Sequence, residues 1–180
     1  SSDLAVKDNR DFREDDLINE TAFREIASVY RFDLTLVISS AETDILRRYF
    51  RVDEKLIFYL PFLYEHIGEY HSKMWPDFHK RQGFVWIGNF LHAPNADAVH
   101  YLKNEIWPLL RAKLPQAQLL VYGAYGEKFN QLHEPYAGFF MKGRATDSRE
   151  VQRQARVNLS PLRFGAGLKG KLAEAMICGT

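Results

Sequence analysis

The chain has 180 residues, of which 46% are hydrophobic and 14% aromatic, so a buried core can form and global disorder is excluded. Its 24 basic and 23 acidic residues nearly cancel, which gives no electrostatic argument for a nucleic-acid partner. The single cysteine excludes an internal disulfide and a multi-cysteine zinc site, and it favours a reducing, cytoplasmic environment. No apolar run has the length of a membrane span, which leaves peripheral membrane contact open.

The first third of the chain predicts helices that alternate with short strands. Four apolar residues fall on one face of a first helix: Ile18, Ala22, Ile26 and Val29. The run Leu34–Ile38 is apolar at every position except Thr35, so both faces of a strand formed by it would be apolar. This pattern predicts a buried parallel strand. A serine-capped helix over 41–50 and a strand over 56–60 follow.

The segment 61–82 has a different character and predicts a linker or domain crossing. It contains two prolines, no clean hydrophobic period and three of the six histidines, His66, His71 and His79. The spacing of these histidines fits no common set of metal ligands, so we predict no metal site.

From Gly83 onward the chain predicts a parallel α/β sheet with helices on both faces, of the Rossmann-like kind. Strands are predicted over 84–88, 118–123, 138–143 and 157–160. A long helix with Asn95 as its N-cap is predicted between the first two strands, its apolar face formed by Val99, Leu102, Ile106, Leu109 and Leu110. Three strands end in glycine (Gly88, Gly123 and Gly143), and these ends should line one rim of the sheet, where ligands of open α/β sheets bind.

The last predicted strand leads into a glycine-rich loop and a helix. Gly165 and Gly167 allow close approach of a ligand to the backbone, and Lys169 and Lys171 add positive charge beside it. Glu174, one or two turns into the helix, could accept hydrogen bonds from a vicinal diol such as a ribose. The same pattern also fits an ordinary connection with a solvated helix face.

The tail 161–180 resembles the donor-site signature of the group 1 (family 4) glycosyltransferases, which have the GT-B fold. Earlier pieces match this family in order: 33–42, 84–90 with Pro94-Asn95, 121–123, and Gly143-Arg144 with Asp147. The first glutamate of the family's E-x7-E motif would fall at Ala166, and the tail instead resembles the branch with a G-x-G-x-K-x-K loop.

The resemblance implies two parts of a GT-B enzyme. Residues 1–75 would be the end of an N-terminal acceptor domain with the interdomain linker, and 76–180 an incomplete C-terminal domain that binds a nucleotide-sugar donor. The residues implied to bind the donor are Gly88, Asn89, Met141, Lys142, Gly143, Arg163, Gly165, Gly167, Leu168, Lys169, Lys171 and Glu174. Among them, Glu174 corresponds to the ribose-binding glutamate, and Lys171 or Lys169 supplies positive charge to the phosphates.

The implied activity is transfer of a sugar from a nucleoside diphosphate of the UDP or GDP type to an acceptor hydroxyl, with retention of configuration. The implied acceptor is a sugar or a lipid-linked sugar, the implied location is the cytoplasm with peripheral membrane contact open, and no cofactor or metal is expected. We expect the chain to be a fragment that is inactive alone, and no catalytic residue is assigned. A non-catalytic nucleotide- or sugar-binding module and a nucleotide-sugar epimerase remain as alternatives.

Overall fold

A computed structural model describes residues 14–64, 66–68, 75–165 and 169–180. They form two compact units. The first contains the described residues up to Tyr64 together with Phe164 and Gly165, and the second contains the described residues from His66 to Arg163 and from Lys169 to Thr180. The domain boundary after residue 75 remains a prediction.

The first unit pairs two short parallel strands with two capped helices. Its elements are α1 (Glu20–Val29), β1 (Thr35–Val37), α2 (Ser40–Arg48) and β2 (Ile57–Tyr59). The side chains of Asn19 and Ser39 accept hydrogen bonds from backbone N–H groups in the first turns of α1 and α2, so each helix begins at a capped end. Val29, Val37, Val52 and Ile57 form the buried core of this unit.

The prediction that Leu34–Ile38 is buried on both faces is wrong. The strand is parallel, as expected, but the side chains of Leu34 and Leu36 are 51% and 56% exposed. Within the described residues β1 pairs with β2 alone, and the core of the unit covers only the face that carries Val37. Ile18 precedes α1 and is also exposed, whereas Val29 at the end of that helix is buried.

The second unit is built on a four-stranded parallel sheet. Its elements are β3 (Phe84–Ile87), α3 (Ala93–Tyr101), α4 (Trp107–Lys113), β4 (Leu119–Tyr122), β5 (Phe139–Gly143), α5 (Ser148–Gln154), β6 (Val157–Asn158) and α6 (Gly170–Ile177). Short 3₁₀ turns cover Phe78–Lys80, Glu127–Leu132 and Pro135–Ala137. The strand order is β5-β4-β3-β6, with every pair parallel. These parallel sheets, with helices on both faces, confirm the predicted Rossmann-like α/β class.

The strand order creates a switch point between β3 and β6. From β3 the chain steps outward through β4 to β5, and β6 then returns to the opposite side of β3. The connections that leave β3 and β6 therefore diverge at the carboxyl ends of these strands, which is where open α/β sheets form a ligand crevice. The tail predicted to bind a ligand begins at this crevice, because α6 is the helix that follows β6.

The helical stretch between β3 and β4 contains a π-helical segment, Leu102–Ile106, between α3 and α4. Pro108 explains why the π-helical segment lies here. Proline has no N–H to donate to the carbonyl of residue 104, and its ring crowds that carbonyl. The wider turn rotates the following helix by about 100° relative to an unbroken α-helix. Leu102 and Trp107 are consequently buried, whereas Leu109, predicted on the apolar face, is 69% exposed.

A buried arginine fastens the end of α6. The Arg81 guanidinium donates hydrogen bonds to the carbonyl oxygens of Cys178 (3.0 Å), Gly179 (2.6 Å) and Pro76 (2.9 Å). A cation at the carboxyl end of a helix satisfies carbonyls that lack intrahelical partners and complements the helix dipole. Arg81 thus ties the end of α6, the helix that carries Lys171 and Glu174, to the segment that precedes β3. Cys178 itself is fully buried, as expected of a packing residue.

Candidate functional site

The three predicted rim glycines lie side by side at the carboxyl ends of β3, β4 and β5. The backbone N–H of Gly123 donates to the Gly143 carbonyl at 2.8 Å, and that of Gly88 donates to the Tyr122 carbonyl at 3.1 Å. A Cβ on Gly123 would lie 2.2 Å from the Gly88 carbonyl oxygen, so the two loops are in close contact there. The predicted rim is therefore confirmed as a structural feature.

A side-chain contact spans the crevice between β3 and β6. The Lys171 ammonium, in the first turn of α6, donates a 2.8 Å hydrogen bond to Asn95 Oδ1 in α3. Asn95 Nδ2 in turn donates to the Asn89 carbonyl at 2.9 Å, and Asn89 Oδ1 accepts from the Leu91 N–H at 2.9 Å. The loop after β3, which contains the predicted ligand residues Gly88 and Asn89, is thereby tied to Lys171.

Lys171 is a desolvated cation without a balancing carboxylate among its described contacts. Besides Asn95, its ammonium contacts the ring of the buried Trp86, with 4.9 Å between the nitrogen and the ring centroid. Neither group carries a negative charge. Burial, and to a smaller extent the neighbouring charge of Lys169, lowers the pKa of Lys171 from 10.5 to about 8. An anion at this position would return the pKa towards its ordinary value.

The prediction that Asn95 caps α3 is wrong. The helix begins at Ala93 after His92, which occupies the N-cap position without a side-chain cap bond, and Pro94 stands in the first turn. Proline is favoured there because the first N–H groups of a helix have no intrahelical partner. Starting the helix earlier leaves the Asn95 amide free to bridge Asn89 and Lys171.

A second contact across the same crevice involves Arg163, which follows β6. Its guanidinium forms a two-point ion pair with the Asp97 carboxylate, one hydrogen bond measuring 2.9 Å, and it stacks 4.9 Å above the ring of Tyr101. The pair joins the start of the tail to α3. Donor binding by Arg163, which would have to share the guanidinium with Asp97, stays a prediction.

Glu174, on α6, is held by three side chains of α5. Its Oε2 accepts hydrogen bonds from Ser148 Oγ (3.0 Å) and Gln152 Nε2 (2.9 Å), and its Oε1 lies 3.5 Å from Arg149 Nε. The side chain keeps 25% of its surface exposed. One carboxylate oxygen is therefore fixed by two neutral donors, while the other retains lone pairs that a diol could use.

The predicted donor-binding segment Met141–Gly143 is the end of the edge strand β5. The Met141 N–H donates to His133 Nδ1 at 3.1 Å, and the Lys142 ammonium lies 5.4 Å from the centroid of the Phe140 ring. Gly143 has φ +70°, and a Cβ built there would meet nothing within 4 Å. The space beside this strand end is thus open, while its backbone conformation favours glycine.

Part of the predicted loop lies outside the described residues. This applies to Gly167 and Leu168, and to Ala166, where the first glutamate of E-x7-E would fall. Gly165 has φ +110° and groups with the first unit, and Lys169 stands at the N-cap position of α6. Ligand binding by these residues remains a prediction.

Three residues that hold the site together, Gln152, Ser148 and Arg149, were not predicted from the sequence. They lie on α5, a short polar stretch in which Val151 is the one apolar residue, yet Gln152 is fully buried. A single apolar residue gives no hydrophobic period from which an inner face could be predicted. The partner of these three residues, Glu174, lies more than 20 residues away along the chain.

Within the part of the chain that the structure describes, no three His, Cys, Asp or Glu side chains are grouped to hold a metal ion, and no helix is long and apolar enough to cross a membrane. His66 and His79 are among these residues, whereas His71 lies outside them.

The fold defines a parallel α/β domain with a crevice at the carboxyl ends of β3 and β6, the position where open α/β sheets bind their ligands. Residues 81–180, more than half of the chain, match the family model described as Glycosyl transferases group 1. The chain therefore belongs to the group 1 glycosyl transferases, which confirms the predicted family and supports glycosyl transfer as its general activity. A comparison with curated proteins finds no match.

Proposed function

We propose that the second unit binds a nucleoside-diphosphate sugar, of the UDP or GDP type, in the crevice between β3 and β6. In this proposal the sugar is transferred to a hydroxyl of a sugar or lipid-linked acceptor with retention of configuration. The observation that carries the proposal is Lys171, a desolvated ammonium at the switch point whose described contacts include no carboxylate.

The diphosphate would lie against Lys171 and the N-terminus of α6. Helix N-termini attract anions through the N–H groups of the first turn and the helix dipole, and Lys169 at the N-cap position adds positive charge there. A phosphate oxygen would replace the neutral Asn95 oxygen as the partner of the ammonium, turning a neutral hydrogen bond into a charge-assisted one. This gain would be largest for a ligand with two adjacent phosphates.

The nucleoside would extend from the diphosphate towards α5 and the edge strand β5. Glu174 offers the carboxylate oxygen that Ser148 and Gln152 leave less occupied, which suits a pair of ribose hydroxyls. The open space at Gly143 and the strand-edge backbone of Lys142 and Gly143 would receive the base.

The chemical step would break the bond between the anomeric carbon and the diphosphate oxygen and form a bond from that carbon to the acceptor oxygen. The acceptor hydroxyl passes its proton to the departing diphosphate oxygen, and the nucleoside diphosphate leaves with the bonding electron pair. Lys171 and the α6 amides would stabilise the charge that grows on the leaving oxygen, which is electrostatic catalysis by a prearranged site. The donor is a substrate, and the proposal invokes no cofactor.

Nucleotide binding is tested by thermal unfolding of the protein with UDP, GDP and ADP. A ligand present at 100 times its dissociation constant adds about 2.7 kcal/mol to the free energy of unfolding, so one diphosphate should raise the melting temperature by several degrees. Transfer is tested separately in the full-length protein, where NMR of the product should show the anomeric configuration of the donor. Absence of stabilisation by all three nucleotides would contradict the donor site, and inversion of the anomer would contradict retention.

The ribose contact is tested by the substitution Glu174→Gln. We expect roughly tenfold weaker binding of the nucleoside diphosphate, because the charged carboxylate becomes a neutral amide and the amide NH2 group replaces one acceptor oxygen. Binding of inorganic pyrophosphate should not change. The matched control is Glu150→Gln, which neutralises an exposed glutamate on α5 and should leave both affinities as they are. Equal losses for both ligands would show that Glu174 acts on the diphosphate or on folding instead.

A further inference from the structure

A chain of side-chain hydrogen bonds connects Glu174 to the beginning of the glycine-rich tail. Gln152 Nε2 donates to Glu174 Oε2 at 2.9 Å, and Gln152 Oε1 accepts from Asn158 Nδ2 at 3.3 Å. Asn158 Oδ1 then accepts from Ser160 Oγ at 3.1 Å. The chain links α6, α5, β6 and Ser160, the second residue after that strand, and so joins three separate parts of the sequence.

The direction of every bond in this chain follows from its charged end. An ionised carboxylate only accepts hydrogen bonds, so Glu174 requires the amino group of Gln152 to face it. The carbonyl of Gln152 is then turned towards Asn158, whose amino group must face Gln152 and whose carbonyl must face Ser160. Each amide has one orientation that satisfies both neighbours, and the chain therefore defines a single arrangement.

Burial makes this arrangement costly to break. Gln152 is fully buried, and its backbone carbonyl also accepts a 2.7 Å hydrogen bond from Thr180 Oγ1 beyond the end of α6. A buried amide left without hydrogen-bond partners costs about 1 to 3 kcal/mol of folding stability. Any position of the Gln152 side chain that breaks these bonds is therefore disfavoured by about that amount. Gln152 is anchored to the main chain and to side chains on both flanks.

We propose that Gln152 and Asn158 are positioning residues that aim Glu174 at the ribose of the donor. Gln152, together with Ser148, occupies one carboxylate oxygen and leaves the other, which faces Arg149 at 3.5 Å, for the ribose. Asn158 keeps the Gln152 amide in the orientation that this requires, and neither Gln152 nor Asn158 touches the ligand. This role rests on the proposed donor function, and it makes the discrimination of ribose hydroxyls depend on the buried Gln152 amide and its partner Asn158.

Two variants interrupt the chain at different points. Gln152→Met keeps the approximate shape of the side chain and removes both amide bonds. Asn158→Asp is isosteric and replaces the group that donates to Gln152 by an acceptor, so that the Gln152 amide turns its amino group towards residue 158 and away from Glu174. Gln154→Met is the matched control, because Gln154 lies on the same helix with its amide on the exposed Glu150.

The experiment measures dissociation constants for the best-binding nucleoside diphosphate, for its 2′,3′-dideoxy analogue and for inorganic pyrophosphate. We expect wild type and Gln154→Met to bind the ribose form roughly tenfold more tightly than the dideoxy form, as two hydrogen bonds to a carboxylate would give. In Gln152→Met and Asn158→Asp this ratio should fall towards one, with pyrophosphate binding unchanged. A merely structural role would weaken the binding of all three ligands together and leave the ratio of the dideoxy and ribose dissociation constants unchanged.

The outcomes separate this inference from the function on which it rests. If either variant keeps the wild-type ratio, the positioning role is wrong and the donor site stands. If wild type binds the nucleoside diphosphate without distinguishing the dideoxy form, this inference and the ribose contact of Glu174 are overturned together, and the diphosphate site stands. If wild type binds no nucleoside diphosphate, both are overturned. Should Gln152→Met fail to fold, Asn158→Asp gives the decisive ratio.

Discussion

Replacing Lys171 by methionine is expected to make the free protein more stable at pH 7 while it weakens nucleoside-diphosphate binding roughly 10- to 100-fold. The loss of binding follows from removing a desolvated cation that lies on α6 and is tied through Asn95 to the loop after β3. The gain in stability follows from the same desolvation, because a lysine whose pKa falls from 10.5 to about 8 is charged at pH 7 at an energetic cost. Methionine fills similar space against Trp86 without that cost.

The stability difference should depend on pH in a defined window. The unfolded chain holds the Lys171 proton up to about pH 10.5 and the folded chain only up to about pH 8. The cost is therefore complete below pH 8 and disappears as the pH rises from 8 to 10.5. Allowing for the partial exposure of the side chain, we expect Lys171→Met to gain about 1 to 2 kcal/mol at pH 7 and nothing near pH 10.5.

Chemical denaturation of both proteins across this pH range measures the difference, and titration with the nucleoside diphosphate measures the affinity. The control is Lys113→Met, which removes an exposed lysine at the end of α4. From there the chain enters the amino-terminal end of β4, at the opposite ends of the strands from the crevice. Lys113→Met should change neither the free energy of unfolding nor the free energy of nucleoside-diphosphate binding at pH 7 by more than about 0.5 kcal/mol. A destabilised Lys171→Met variant with wild-type affinity would contradict the assigned role of Lys171.

The substitution Gly123→Ala is expected to lower the free energy of unfolding by about 3 kcal/mol. The added Cβ would lie 2.2 Å from the Gly88 carbonyl oxygen and 2.5 Å from the ring of Phe90. The carbonyl belongs to the loop that follows β3, and the ring is buried against Phe129, so neither can move without disturbing the rim. Binding of the nucleoside diphosphate should weaken along with stability, because Gly88 is displaced.

Gly143→Ala separates steric crowding from backbone strain. Gly143 has φ +70° but open space around its Cα, so alanine there should cost about 1 kcal/mol from conformation alone. Gly123 has the opposite properties. Its backbone is not in the left-handed region, and the space that a Cβ would need is occupied by the Gly88 carbonyl and the Phe90 ring. Equilibrium denaturation of the two variants compares them directly. A Gly123→Ala cost no larger than that of Gly143→Ala would show that the rim is loosely packed.

The sequence could predict the parallel sheet and its rim because those features have local signatures. Apolar runs such as 84–88 and 118–123 identify buried strands, and the glycines at their ends identify the rim. The family resemblance, carried mainly by the tail, is confirmed by the match over residues 81–180. Lys171 and Glu174 could also be selected from the sequence, since a glycine-rich loop before a helix is a local pattern.

The partners of those two residues could not be predicted, because each contact joins distant parts of the chain. Asn95 looked like a helix cap, yet it contacts a lysine 76 positions later. Arg81 lies in a stretch that looked like a linker, yet it holds the end of α6, and only the folded chain brings the two together. The exposure of Leu109 depended on a π-helical turn before Pro108, which shifts the hydrophobic period that a regular helix predicts.

The most direct test is an NMR titration of the Lys171 ammonium, in protein carrying labelled lysine ε-carbons, with and without saturating nucleoside diphosphate. The account predicts a pKa of about 8 in the free protein and a rise of more than one unit when the diphosphate binds, because the ligand supplies the missing negative charge. Lys171→Met identifies the signal by its loss. A pKa that stays the same on saturation would contradict the claim that this lysine binds the donor diphosphate.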